Sequence, residues 1–153
     1  MEIEARYSRY KRQNLLILIG ICVVGAVWLG YDGYINQNFI EEHTNADGTI
    51  QSDLQFNRIG SPVCVVLAVL LAVRFFMVKD RKTIAGEKEL ILSNNTRISY
   101  DSIESIDKTY FDEKGYFDIK YNTADGNEQA CRVSDRNFDN LGALLEKVIS
   151  EIS

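Results

Sequence analysis

Residues 59–78 read IGSPVCVVLAVLLAVRFFMV, and the basic cluster Lys79-Asp80-Arg81-Lys82 follows at once. About 20 mostly apolar residues, each rising ~1.5 Å in a helix, cross a ~30 Å hydrocarbon core. The run therefore predicts a membrane-spanning helix, and the other segments take their roles from it. A basic segment (1–14) and a first apolar run (15–31) precede it. An acidic connection (32–58) joins the two runs, and a small polar domain (79–153) follows.

The formal charge of −5 is unevenly spread. Before the first run, Arg6, Arg9, Lys11 and Arg12 outweigh Glu2 and Glu4, with Tyr7 and Tyr10 among them. The connection holds Asp32, Glu41, Glu42, Asp47 and Asp53 against Arg58 alone. Arg74, Lys79, Arg81 and Lys82 close the second run, and residues 83–153 are net acidic. Lys and Arg flanks favour the cytoplasmic side. The expectation is a multi-pass protein of the cell inner (plasma) membrane, with both termini cytoplasmic and 32–58 outside. Arg6, Arg9, Lys11 and Arg12 then meet anionic headgroups, as do Lys79, Arg81 and Lys82. Arg74 snorkels from the inner end, and Trp28 and Tyr31 lie in the outer aromatic belt. The first run, LLILIGICVVGAVWLGY, is short for a span. Its end lacks a small-x-small cleavage site, so it reads as a retained helix.

Small residues recur every four positions in both runs: Cys22, Ala26 and Gly30 in the first, Cys64, Ala68 and Ala72 in the second. In an antiparallel hairpin Cys22 comes level with Ala72, Ala26 with Ala68, and Gly30 with Cys64. Such spacing lets helix backbones approach closely. Ser61-Pro62 fits an N-cap and first-turn proline for the second helix. Within the connection, Asn45-Ala46-Asp47-Gly48-Thr49-Ile50 looks like the middle of a calcium-binding EF-hand loop. Asn45 and Asp47 are the weak metal candidates there. His43 and Leu54 fall where the loop needs its first ligand and its final bidentate acid, and neither is a carboxylate. An Asp-Gly turn in a solvated loop explains the same residues.

Residues 83–153 alternate as a β-meander does. Glu89–Leu92 and Arg97–Tyr100 read as strands around a two-residue Asn94-Asn95 turn. Ser102–Phe111 is a longer strand in which Ile103 and Ile106 are out of phase, which predicts a bulge. Tyr116–Tyr121 places Phe117, Ile119 and Tyr121 on one face, and Asp125-Gly126 turns the chain into Gln129–Val133. Phe138, Leu141, Leu145, Val148 and Ile152 form the apolar stripe of a last helix capped by Ser134 or Asp135. The class is α+β: a two-helix transmembrane hairpin, then a small antiparallel meander or partial barrel with one C-terminal amphipathic helix.

The run ELILSNNTRISYDSIESIDKTYFDEKGYFDIKY with its final helix resembles the bacterial pleckstrin-homology-like (PH-like) domains that follow one or two membrane spans. The similar features are Ile98-Ser99-Tyr100-Asp101, the step Ile103–Ile106 and the helix Phe138–Leu145. The resemblance covers less than half the chain, and at this length implies fewer strands than a full seven-stranded barrel. It implies a binding or scaffolding platform and not an enzyme.

The sequence supplies no Ser-His-Asp set, His43 being the only histidine, and no Gly-rich phosphate loop. Cys22, Cys64 and Cys131 have no zinc spacing and no disulfide partner, and no cofactor is expected. The acidic tail lacks a basic stripe, which argues against nucleic acid. The sequon Asn94-Asn95-Thr96 is silent on the cytoplasmic side. The expected partners are the lipid bilayer and a protein or larger membrane complex, with homo-oligomers left open. Tyr110, Phe111 and Tyr116 are the candidate partner surface. The reading is a membrane-tethered, non-catalytic scaffold or accessory subunit. The rival is a sensor whose acidic outer loop binds a cation or small ligand.

Overall fold

A computed structural model describes residues 2–153, which divide into two units. One contains the residues up to Arg12 together with Val78–Ser153, and the other is Gln13–Met77. The class is α+β, with two long apolar helices and antiparallel sheets.

The first unit holds seven strands among the described residues: β1 (Ile3–Arg6), β2 (Lys82–Ala85), β3 (Glu89–Ile91), β4 (Arg97–Ser99), β5 (Ile103–Asp107), β6 (Tyr116–Asn122) and β7 (Glu128–Ser134). They form a four-stranded sheet, β1-β2-β3-β4, and a three-stranded sheet, β5-β6-β7, not closed into a barrel. Within the basic segment 1–14, Ile3–Arg6 form a strand. Ile3, Glu4, Ala5 and Arg6 pair antiparallel with Ala85, Ile84, Thr83 and Lys82. Ala5 and Ala85 are fully buried. The reason is alternation: Ile3, Ala5 and Tyr7 turn one way while Glu2, Glu4 and Arg6 turn the other. This strand also lifts the strand count above the abbreviated domain that residues 83–153 alone would give.

One core joins both sheets. Leu90, Ile98 and Tyr100 meet Phe117, Ile119 and Val133, and α5 (Leu141–Ile152) contributes Leu141, Leu144, Leu145 and Val148. The bulge in β5 lies between Ile103 and Ser105, where the phase of the apolar residues breaks. The Asn94-Asn95 turn is one residue longer than expected. Leu92 N donates to Thr96 O (2.8 Å), Asn95 N donates to Leu92 O (2.9 Å), and only Asn95 takes a positive φ, +64°. That is the three-residue loop ending in a left-handed position, and Thr123–Asn127 repeats it with Gly126 at φ +79°. The helical turn α4 (Phe111–Lys114) stops at Gly115, also left-handed.

Helix α5 starts later than its apolar stripe suggested, and neither Ser134 nor Asp135 caps it. Residues 137–139 are drawn out of the helix by the N-terminal segment. Ser8 N donates to Asn137 O and Asp139 N to Arg6 O, both 2.8 Å, with a bridge between Tyr7 and Phe138. Ile152 is exposed.

The second unit is a helical hairpin of α1 (Arg9–Gly30), a π-turn (Tyr31–Ile35), α2 (Gln37–Glu42) and α3 (Ser52–Val78). The two long helices are apolar and long enough to cross a membrane. Among their less exposed positions a series runs four and three apart: Leu15, Ile19, Cys22, Ala26, Leu29 on α1, and Leu54, Asn57, Ser61, Cys64, Ala68, Leu71, Phe75, Val78 on α3. This is the seven-residue repeat of helices packed side by side.

Helix α3 begins at Ser52, so Pro62 lies inside it and Ser61 is no N-cap. An interior proline deprives the carbonyl four residues earlier of its donor. That carbonyl belongs to Arg58, and the Tyr34 hydroxyl donates to it at 2.8 Å. Ser61 Oγ instead donates to Ala26 O across the hairpin (2.9 Å). The connection is folded as well. Asn45 N donates to Thr49 O with Gly48 at φ +82°, giving the three-residue loop a third time, and Leu54 is fully buried.

Candidate membrane-interface site

Alternation in β1 and β2 puts charged side chains at the ends of the ladder, where Arg6 opposes Lys82. Tyr7 N donates to Arg81 O (2.8 Å), and Arg81 N to Val78 O (3.1 Å), so the strand bends straight into the turn that ends α3. The result is a cavity of about 280 Å³ lined by Arg6, Arg12, Lys79, Arg81 and Lys82, with Glu4 and Asp80. Five cations face two acids.

Those acids do not neutralise the site. Glu4 takes Lys82 Nζ at 2.5 Å and Arg6 Nε at 3.3 Å, and the Lys82 hydrogen bond is the main reason its carboxyl sits below the usual range. Asp80 lies 3.8 Å from Lys79 Nζ. Arg12 and Arg81 have no carboxylate in ion-pair reach among the described residues. Guanidinium and ammonium groups converging without enough carboxylate attract anions such as phosphate oxygens.

Neighbouring basic residues are held to the β domain. Arg9 N, at the open end of α1, donates to Asp139 Oδ2 (2.9 Å), and Lys11 Nζ donates to Asn137 Oδ1 (2.7 Å). Asp139 thereby caps α1 from the far end of the chain, a role with no local sequence signal. The strand alternation at 2–7 was the signal for the rest of the site.

The remaining candidates are placed as follows. Trp28 Nε1 donates to Asp32 Oδ2 (3.1 Å), and Trp28, Tyr31 and Arg74 are exposed. Cys22, Ala26, Gly30, Cys64, Ala68 and Ala72 are all half-buried. The register differs from the expected one by nearly a helical turn. Any Cβ on Gly30 would lie 2.8 Å from Ser61 Oγ, and Cys64 Sγ lies against Gly25 instead. The rings of Tyr110 and Tyr116 lie 5.7 Å apart and tilted by 32°, with Lys114 4.3 Å over Tyr110 and Arg132 4.0 Å over Tyr116. Phe111 turns inward, edge-on to Phe117 at 5.9 Å, so it belongs to the core margin.

Asn45 and Asp47 both make hydrogen bonds within their own loop. Asp47 Oδ1 accepts from Thr49 N and Oγ1 (3.0 and 2.6 Å), which lowers its pKa, and Asn45 Oδ1 accepts from Gln51 (3.2 Å). Among the described residues no three His, Cys, Asp or Glu side chains gather to hold a metal. Burial raises the Cys131 thiol to about 11. No family model, curated protein or solved structure matches this chain.

Proposed function

We propose that this chain is a membrane-tethered, non-catalytic docking protein. Its helical hairpin crosses the inner membrane, and its β domain is a PH-like platform on the cytoplasmic face. The single observation that carries the tether is the apolar surface of the hairpin. No residue of α1 is buried, and Ile17, Ile21, Val24, Val66, Val69 and Leu70 each present about half or more of their surface. A continuous apolar surface of this extent calls for lipid or another apolar partner.

Strand pairing supports the orientation. β1 precedes the hairpin and β2 follows it, and their antiparallel pairing supports a topology with both flanks of the hairpin on one side. The cations around the 280 Å³ cavity favour the anionic cytoplasmic leaflet. Support for the PH-like reading is the order of four strands, three strands and a closing helix around one core. A partner protein or larger membrane complex then docks on the β domain.

Alkaline carbonate extraction of membranes, followed by protease treatment of intact cells, tests the tether. The chain is expected to stay with the membrane and its β domain to survive external protease. Release into the soluble fraction, or cleavage of the β domain from outside, would overturn the reading.

A further inference from the structure

Between the end of β5 and α5 lies an open groove of about 630 Å³. Its floor is apolar: Ile106, Phe111 and Ile149 are partly exposed extensions of the core, with Leu145 beneath them. Its rim is acidic, with Asp107, Asp112 and Glu146 against Lys108 alone. Asp107 Oδ1 is used by Thr109, but Asp112 and Glu146 engage no donor through their side chains among the described residues. One wall, β5, is an edge strand paired only to β6.

Gly142 is the second observation. It sits in the first full turn of α5 and lines the groove, yet a Cβ there would meet nothing within 4 Å. Its missing side chain leaves the wall of the groove bare, with room for a segment lying over the helix.

We infer that the groove takes a short extended segment of a partner protein in which apolar residues alternate with Lys or Arg. The edge of β5 offers backbone pairing, alternate side chains reach the apolar floor, and the cations between them meet the acidic rim. This inference deepens the docking reading above by giving the docked segment its chemistry and its place.

The test uses the full chain in phosphatidylcholine nanodiscs and a fluorescent peptide of alternating Val and Lys, with a Val/Glu peptide as its counterpart. Anisotropy is expected to show the Lys peptide binding at least about tenfold tighter than the Glu peptide. Gly142→Leu, which fills open space, is expected to abolish binding without lowering the unfolding midpoint. The surface variant Asp112→Lys/Glu146→Lys is expected to weaken binding by a similar factor, and it leaves the core untouched should Gly142→Leu misfold. Equal binding of both peptides, no binding, or binding indifferent to both variants would overturn the inference. So would self-association that Gly142→Leu dissolves, because the occupant would then be a second copy. A chain that resists carbonate extraction but ignores the peptide loses the groove and keeps the tether.

Discussion

The two units treat the same residue types in opposite ways. In the β domain Phe117, Leu90, Ile98 and Val148 are shut away from solvent, while in the hairpin Ile21, Val24, Val66 and Leu70 stand outward and small residues face inward. A domain in water is held by apolar area removed from water. A helix pair in lipid gains nothing by hiding its aliphatic side chains, so close backbone approach and hydrogen bonds take over. In this hairpin Ser61 donates to Ala26 O, Tyr34 to Arg58 O and Arg58 Nε to Gly33 O (2.9 Å). The seam between the helices is therefore narrow and crossed by a few hydrogen bonds, where the core of the β domain is broad and apolar.

The largest expected effect attacks that contrast directly. Phe117→Ala should destabilise the β domain by about 3–5 kcal/mol, while Val66→Ala on the outward face of α3 should leave thermal unfolding in detergent nearly unchanged. Equal losses would mean that the hairpin too is held by apolar burial. Next is Tyr34→Phe, which strips the carbonyl orphaned by Pro62 of its donor and should cost about 1–2 kcal/mol. A double substitution with Pro62→Ala restores an intrahelical donor and should recover most of that loss, as read by urea titration in micelles. Asp139→Ala, removing the cap of α1, should cost about 1 kcal/mol, with Asp139→Asn recovering part of it. Faster amide exchange in the first turn of α1 is the direct readout.

The smallest effect is one of pH. Two hydrogen bonds from Arg132 (2.7 and 2.8 Å) hold the Asp118 carboxyl below its usual range. A carboxylate with a depressed folded pKa contributes stability that is present above its unfolded value, about 4. That contribution is lost as pH falls through the folded value. Asp118→Asn should therefore flatten the acid side of the stability profile of the β domain and leave the hairpin unaffected. A profile unchanged by the substitution would show that the pair contributes nothing.

Much of this contrast was legible in the residues. The apolar runs, the bulge signalled by Ile103 and Ile106, the alternation from Phe117 to Tyr121 and most of the α5 stripe are local patterns, and local patterns report local structure. What stayed hidden was held from a distance. The start of α5 is set by pairing with residues 6–8, and Glu4 reaches Lys82 across 78 positions. Pro62 resembled a helix start because its remedy, a hydroxyl from another helix, leaves no mark beside it. The basic residues were visible, but their convergence on one cavity follows from a four-residue strand whose partner lies beyond both helices.

The pairing of β1 with β2 has a consequence for how the gene product is put together. Tyr7 and Arg81 stand opposite each other, so everything from Ser8 to Asp80 occupies the position of a hairpin loop. During synthesis β1 is made before both long helices and its partner β2 after them. Its brevity and its charges protect it from aggregation over that interval. The same geometry brings the two ends of the intervening chain together at Tyr7 and Arg81, so a short Asn-Gly turn is long enough to span them.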